Sequence, residues 1–291
     1  VLAGFWFTVM AALIKAAAPT VGIAALVVSR GVVGLVLCVL AARVLQLSLR
    51  PQGRGRLAVR CLIGGAAMGC YYAAVGLWQT ELGTAAMLKK TSPVWVALFA
   101  PWVFGERTTS RVWLALVVGL IGVGASYGFV PEGDRVGIAL CLLTGFLAAI
   151  AYLALRGLAF TDNPVAVVAA FSLTVLLGAA PFAVKNYLEA GGYDAHTWGM
   201  IGLAGTAGTL GQFSLTGAYR HGTAASVSVA SLSEIAFALL ASLVVFQQSP
   251  TPAGLVGGGL VCVAALVAVT SRQRQVEAEQ EDDQESDAPF A

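Results

Sequence analysis

Few side chains in this 291-residue chain can do chemistry, and the candidates stand where charge is expensive. Five ionisable residues fall inside long apolar stretches: Lys15, Arg30, Lys89, Lys90 and Glu234. A charge at the centre of a membrane helix costs about 2.5–3.5 kcal/mol on insertion scales, so such residues face a bundle interior and mark a pathway. Glu234 is the one acid in any of these stretches and lies near the middle of its own. A carboxyl there is suited to taking up and releasing a proton; the other role open to it is ion-pair partner of a lysine or of Arg30. Arg30, Lys89 and Lys90 share one half of the depth and suit a carboxylate or phosphate. At about 100° per residue the two lysines cannot share a face, so one lines a cavity while its neighbour pairs or snorkels. Lys15, near the end of its stretch, can snorkel too.

Polar and aromatic neighbours recur at helical spacing. Tyr71, Val75 and Trp78 align at i, i+4, i+7, and Ala85, Lys89 and Ser92 do the same. Thr209, Gln212 and Thr216 form a further stripe, and Ser231 precedes Glu234 by one turn. The expected substrate-binding set is therefore Arg30, Tyr71, Trp78, Lys89, Ser92, Gln212 and Ser231, with Glu234 as the proton-coupling group. Small polar residues also serve close helix packing, which is the reading for Gly119, Gly122 and Gly124 and for Gly257, Gly258 and Gly259.

Other chemistries find no residues. The chain has no GxxxxGK[ST] phosphate loop, so transport would run on a gradient or on exchange. His196 and His221 lack ligand-spaced partners, and Cys38, Cys61, Cys70, Cys141 and Cys262 are scattered without a CxxC pair. No metal or cofactor is expected. A membrane-embedded enzyme would need clustered His, Asp or Glu at one face, and a channel would have little use for a central charged site.

The elements that must hold these residues follow from composition. Only 11% of the chain is charged, against roughly 25% for a soluble domain. Charge-free windows such as Val112–Pro131, Ala195–Tyr219 and Ile235–Ser271 each cover the ~20 residues a bilayer requires. A soluble protein and a nucleic-acid binder are excluded. Turns and charges cut the chain into ten apolar segments near 2–17, 22–47, 59–79, 84–105, 112–130, 136–155, 164–184, 198–218, 223–246 and 253–270. Continuous apolar runs without period-2 alternation must be helices rather than barrel strands. The expected fold is all-α and polytopic, with ten transmembrane helices. The expected partners are a small-molecule substrate, the lipid bilayer and a coupling proton, with a homodimer left open.

Loop charges orient the bundle. With the N-terminus inside, one set of ends holds Arg43, Arg50, Arg54, Arg56, Arg60, Arg107, Arg111, Arg156, Arg220, Arg272 and Arg274. The opposite set holds Arg135 and Lys185 beside Glu81, Glu132, Asp134, Glu189 and Asp194. The positive-inside rule then makes both termini cytoplasmic, in the plasma membrane, with the 48–60 loop inside. Residues 271–291 carry seven acids and few apolar groups, which predicts a disordered tail.

The halves also repeat. At a shift of 141, Gly4-Phe5 meets Gly145-Phe146, Lys15 meets Arg156, Gly64 meets Gly205 and Tyr72 meets Phe213. At a shift of 139, Gly83-Thr84-Ala85-Ala86 meets Gly222-Thr223-Ala224-Ala225. Agreement on one period, in order along the chain, marks a repeat of residues 1–130 in 136–270. Five spans per copy is an odd number, so the second copy enters the membrane from the other side. Inverted repeats of this kind suit alternating access.

This pattern resembles the drug/metabolite transporter superfamily, in particular its ten-helix EamA-type members. The stretches that carry the resemblance are FTVMAALIK with Lys15, VVSRG with Arg30, and GTAAMLKKTSPVWVALFAPWVFGE with Pro93 midway and Gly105-Glu106 at its end. It covers essentially residues 1–270. It implies a secondary transporter, not an enzyme, and an exporter or exchanger of amino-acid-like compounds. The second half departs from the pattern, reading SLSEIAFALL with Glu234 where a proline like Pro93 is expected, and Gln247-Gln248 in place of Gly-Glu.

Overall fold

The computed structural model describes residues 1–17, 23–80, 82–106, 108–129, 134–190, 192–247 and 251–286. Glu81, Arg107, Glu132 and Gln248, used in the sequence argument, lie outside them. The described residues form helices and turns without a strand. In chain order the helices are α1 (Leu2–Ala17), α2 (Ile23–Val44), α3 (Arg54–Gly76), α4 (Leu82–Lys89), α5 (Ser92–Phe104) and α6 (Ser110–Tyr127). The second half contributes α7 (Arg135–Leu158), α8 (Pro164–Ala190), α9 (Ala195–His221), α10 (Ala224–Ala230), α11 (Glu234–Val244) and α12 (Pro252–Ser286). A single 3-10 turn, Ser231–Ser233, separates α10 from α11.

Seven described segments are long and apolar enough to cross a bilayer on their own. Three of the ten apolar segments fall short of that measure for visible reasons. Helix α1 is only 16 residues long, and the segment 84–105 is split into α4 and α5. Helix α9 is long but carries Thr197, Thr209, Gln212 and Thr216 on its buried side.

Polarity runs inside out. Trp102, Leu62, Leu114, Leu177, Leu203, Leu240 and Leu266 are exposed on the outer faces, whereas Arg60, Lys90, Ser92, Thr209 and Gln212 are buried. Water would not tolerate that outer surface, but lipid does. Helix α2 packs on α8, α6 on α12, α3 on α7 and α1 on α9. Helix α5 leans on α7, and α11 on α1. The main core joins Val96 and Ala100 of α5 to Ala149, Leu153 and Leu155 of α7, Phe171 of α8, and Leu215 and Tyr219 of α9.

Glycine permits the closest crossing. A Cβ on Gly122 would lie 2.7 Å from the Gly257 carbonyl oxygen, and one on Gly119 would lie 2.6 Å from Leu232 Cδ1. Gly259, expected to pack as well, faces open space.

The last helix continues past the bilayer segment to Ser286, so the backbone there is helical where composition predicts disorder. The segment follows a finished helix with no Gly or Pro to stop it, and it is rich in the helix formers Glu, Gln and Ala.

Outside the spans, the turn between α7 and α8 is tied to the loop before α3. Asp162 accepts from the N–H groups of Gln52 (2.7 Å) and Gly53 (2.9 Å) and from the Thr161 hydroxyl (2.6 Å). Burial pushes its carboxyl up, but these hydrogen bonds outweigh burial and hold it below the ordinary carboxylate range. Asn163 Nδ2 donates to the Ser48 carbonyl at 2.6 Å, completing the tie.

Candidate functional site

Two spans are broken, and the breaks carry the charges. In the first half the helix stops at Lys89 and restarts at Ser92. Pro93 lacks an N–H and cannot continue the α4 ladder, so it sits in the first turn of α5, where no N–H is needed. Thr91 fills the gap. Its hydroxyl donates to the Leu88 carbonyl at 2.7 Å, and its own carbonyl accepts from the Val94 N–H at 3.0 Å. In the second half the break needs no proline. Ser231 Oγ donates to the Ser228 carbonyl at 2.6 Å, a local bond of the kind that bends helices, and the chain tightens to a 3-10 turn before Glu234.

A neighbouring helix from the opposite half presses a glycine onto each break. A Cβ on Gly145 of α7 would lie 2.5 Å from Thr91 Oγ1 and 3.1 Å from the Leu88 carbonyl oxygen. A Cβ on Gly4 of α1 would lie 2.9 Å from the Glu234 nitrogen. Thr8, one turn further along α1, donates to the Glu234 carbonyl at 3.2 Å. Phe146 packs edge-on against Trp95 at 5.3 Å, and Phe5 does the same against Phe237 at 5.8 Å.

The breaks are joined by an ion pair. Lys90 Nζ donates to Glu234 Oε2 at 2.6 Å, with side chains 10% and 26% exposed. Lys89 points elsewhere, its ammonium 5.3 Å from the centre of the Tyr71 ring. Lys89 and Arg30 also stand within the electrostatic field of Glu234. The lysine that pairs is thus the neighbour of the one placed in the expected binding set. Of the two parts expected of the adjacent lysines, Lys90 takes the pairing one.

A second cluster surrounds Gln212. Arg60 is 4% exposed, and its Nη2 donates to Gln212 Oε1 at 3.1 Å. Its guanidinium lies over the Phe171 ring at 4.1 Å. Arg30 lies over Phe7 at 5.8 Å and shares with Gln212, Ser172 and Thr209 a crevice too narrow in this conformation for water. Among the described residues neither arginine makes an ion pair. Arg60 corrects the sequence reading, which counted it with the loop cations: α3 begins at Arg54, so Arg60 stands almost two turns inside the helix.

The remaining expected residues fall differently. Tyr71 is half-buried and meets Tyr72 edge-on at 5.7 Å. Ser92 is buried at the break, and Ser231 is spent on its own helix. Thr209 and Thr216 likewise donate to the carbonyls of Gly205 and Gln212, leaving Gln212 as the member of that stripe with a distant side-chain partner. Trp78 is not on a shared face with Tyr71. Helix α3 ends at Gly76, and Trp78 lies beyond it in a turn, 44% exposed.

One end of the bundle is closed by a further ion pair that the expected set omits. Arg156 donates to Glu106 Oε1 from Nε (2.8 Å) and Nη2 (2.7 Å), and from Nη1 to the Tyr219 carbonyl (2.7 Å). Glu106 Oε2 accepts from the Ala224 N–H at 2.8 Å. Gly105 aims the carboxylate by ending α5 in the left-handed region, φ +69. At the other end Lys15 lies over the Phe246 ring at 4.2 Å. A groove of about 460 Å³ between α2, α8 and α9 is lined almost wholly by carbon, including Val28, Val32 and Val184, and stands apart from these charges.

Comparison with known proteins adds to this geometry. The model of the EamA-like transporter family matches the chain twice, over residues 1–127 and 135–270. The pseudopaline exporter CntI of Pseudomonas aeruginosa is 31% identical over 267 residues, covering 91% of this chain and 93% of that protein. An uncharacterized transporter of Helicobacter pylori is 29% identical over 205 residues, 67% of each chain. One solved crystal structure superposes with a TM-score of 0.76 at 18% identity, over 94% of this chain and 97% of its own, a likeness of fold alone.

Proposed function

The chain belongs to the EamA-like transporter family and is a multi-pass membrane protein, and on that premise we propose that it exports a small amino-acid-like compound by alternating access. The observation that carries the reading is the Lys90–Glu234 ion pair, which bridges two broken spans from opposite halves. Discontinuous helices that meet at mid-depth are where secondary transporters hold substrate and coupling ion.

The finer architecture in this reading is ten spans in two inverted repeats, with α4–α5 and α10–α11 each serving as one span. The packing supports it. Exchanging the halves turns the α1–α9 contact into α7–α3 and the α5–α7 contact into α11–α1, while α2–α8 and α6–α12 map onto themselves. The local details follow the same exchange: Gly4 and Gly145 each abut a break, and Phe5 and Phe146 each meet an aromatic of the broken span. With both termini cytoplasmic, the Arg156–Glu106 closure is the inner one and this conformation is shut toward the cytoplasm.

Glu234 carries the coupling proton. Its ionised carboxylate holds Lys90, and protonation cancels that attraction, freeing Lys90 and loosening one break from the other. Arg30 and Lys89 receive the anionic part of the substrate, with Tyr71, Ser92, Gln212 and Ser231 as neighbours. The test is counterflow by the purified protein in liposomes, across amino acids and small anions and under imposed pH gradients. Accumulation of at least one solute is expected. Failure of every solute under every gradient overturns the reading.

A further inference from the structure

The charges facing the centre do not balance. Arg30, Arg60, Lys89 and Lys90 are four cations, and Glu234, already held by Lys90, is the acid among them. Arg30, Arg60 and Lys89 each rest over an aromatic ring instead of a carboxylate: Phe7, Phe171 and Tyr71. Ring faces ease a buried cation without neutralising it, so they leave it able to take an anion. Arg60 is the extreme case. It is nearly fully buried, its Nε has no hydrogen-bond partner, and it feels the like charge of Arg30.

Both guanidinium groups are seated by glycines. Arg60 Nη1 lies 2.5 Å from where a Cβ of Gly64 would be, and Arg30 Cδ and Nε lie 3.2 and 3.3 Å from that of Gly208. Gln212 Oε1 is taken by Arg60, and its NH2 group makes no hydrogen bond among the described residues, leaving donors beside the arginines. A buried charge of this kind with no acid to meet it is a site awaiting one.

We propose that Arg60, with Gln212, binds a second acidic group of the transported compound, beyond the one that Arg30 and Lys89 receive, so that the substrate is an amino-acid-like compound with at least two carboxylates. The inference rests on the transport reading and narrows its substrate class. Arg60 lies eleven residues before Tyr71 on α3, about 16 Å along the axis. The Lys89–Tyr71 pole and the Arg60–Gln212 pole are therefore separate, and one carboxylate cannot fill both. A single carboxylate would leave most of the surplus charge unmet, whereas two answer both poles.

The experiment compares alanine, glutamate, 2-aminosuberate and γ-glutamylglutamate, the last two with carboxylates far enough apart to reach toward both poles, as ligands of the purified full chain, by thermal shift and tryptophan fluorescence at fixed ionic strength. Wild type should bind the best di- or tricarboxylate at least tenfold more tightly than alanine. Arg60→Gln should lose that tenfold preference while alanine binding changes less than threefold, and Arg60→Lys should keep part of it. Without ligand, Arg60→Gln should melt no lower than wild type, because it removes an unmet charge. A merely structural arginine would instead lower the melting temperature. Equal binding of alanine and the polycarboxylates by wild type, or an unchanged preference in Arg60→Gln, overturns the proposal. If either result comes with counterflow of some solute, the transport reading stands and this inference alone falls. If no solute exchanges at all, the transport reading falls first.

Discussion

The two breaks do the same job with different residues. In the first half, Pro93 interrupts the ladder and Thr91 closes the loose end. In the second half a serine pair and a 3-10 turn suffice, with no proline nearby. Common to both is the glycine from the opposite half, Gly145 against Leu88–Thr91 and Gly4 against Ser233–Glu234. The break is therefore a property of packing, and proline is one local means of accommodating it. The charges differ as well: the first break presents lysines and the second presents the carboxylate that holds one of them.

The largest effect is expected from separating those charges. Glu234→Gln or Lys90→Gln each strands a buried partner and should cost about 3–5 kcal/mol. The double variant should recover much of that loss, since neither charge is then left alone. Thermal unfolding of all four proteins gives the cycle, and additive losses would show that the pair is not coupled.

Next come the glycines. Gly4→Ala and Gly145→Ala should each lower stability by about 1–3 kcal/mol, because the new Cβ meets the Glu234 backbone at the first position and the Thr91 hydroxyl and Leu88 carbonyl at the second. Transport should suffer more than stability does, as the lesion sits on the breaks. Equal tolerance of alanine at both positions in a transport assay would detach the glycines from the breaks.

Proline is predicted to matter less. Pro93→Ala should leave the first break in place and shift stability by less than about 1 kcal/mol. The amides of Lys90 and Thr91, which bond three residues back to the Met87 (3.0 Å) and Leu88 (3.1 Å) carbonyls, should exchange no more slowly than in wild type. Protection of those amides in Pro93→Ala would make proline the cause after all.

The smallest effect lies outside the membrane. The Asp162 carboxyl is held below its ordinary range, so its contribution is complete above that range and is lost as pH falls through the lowered value. Acid should release the Gln52 and Gly53 amides, seen as faster exchange in the 48–53 loop while the bundle stays folded. Asp162→Asn should release them at neutral pH.

Much of this was legible in the sequence. Arg30, Lys89, Lys90 and Glu234 stand out because lipid makes each charge conspicuous, and Gln212 lies on a stripe that does turn inward. Periodicity puts Lys89, with Ala85 and Ser92, in the expected set and leaves pairing or snorkelling to its neighbour, and in the structure Lys90 is the one that pairs with Glu234. The Tyr71–Trp78 face fails because it extends past the end of α3. Arg60 was hidden among the loop cations Arg50, Arg54 and Arg56. Its spacing to Gly64 and Tyr71, at i+4 and i+11, could have placed it on the inward face. Glu106 and Arg156 are far apart in sequence and lie at span ends, where charges are ordinary.

The central claim is that Glu234 couples a proton to movement of the two breaks. Its most direct test is counterflow in liposomes as a function of pH for wild type and Glu234→Gln, with folded protein verified in both. The account predicts a steep pH dependence in wild type and a flat, reduced rate in the variant. A stable Glu234→Gln protein that transports with the wild-type pH profile would contradict it.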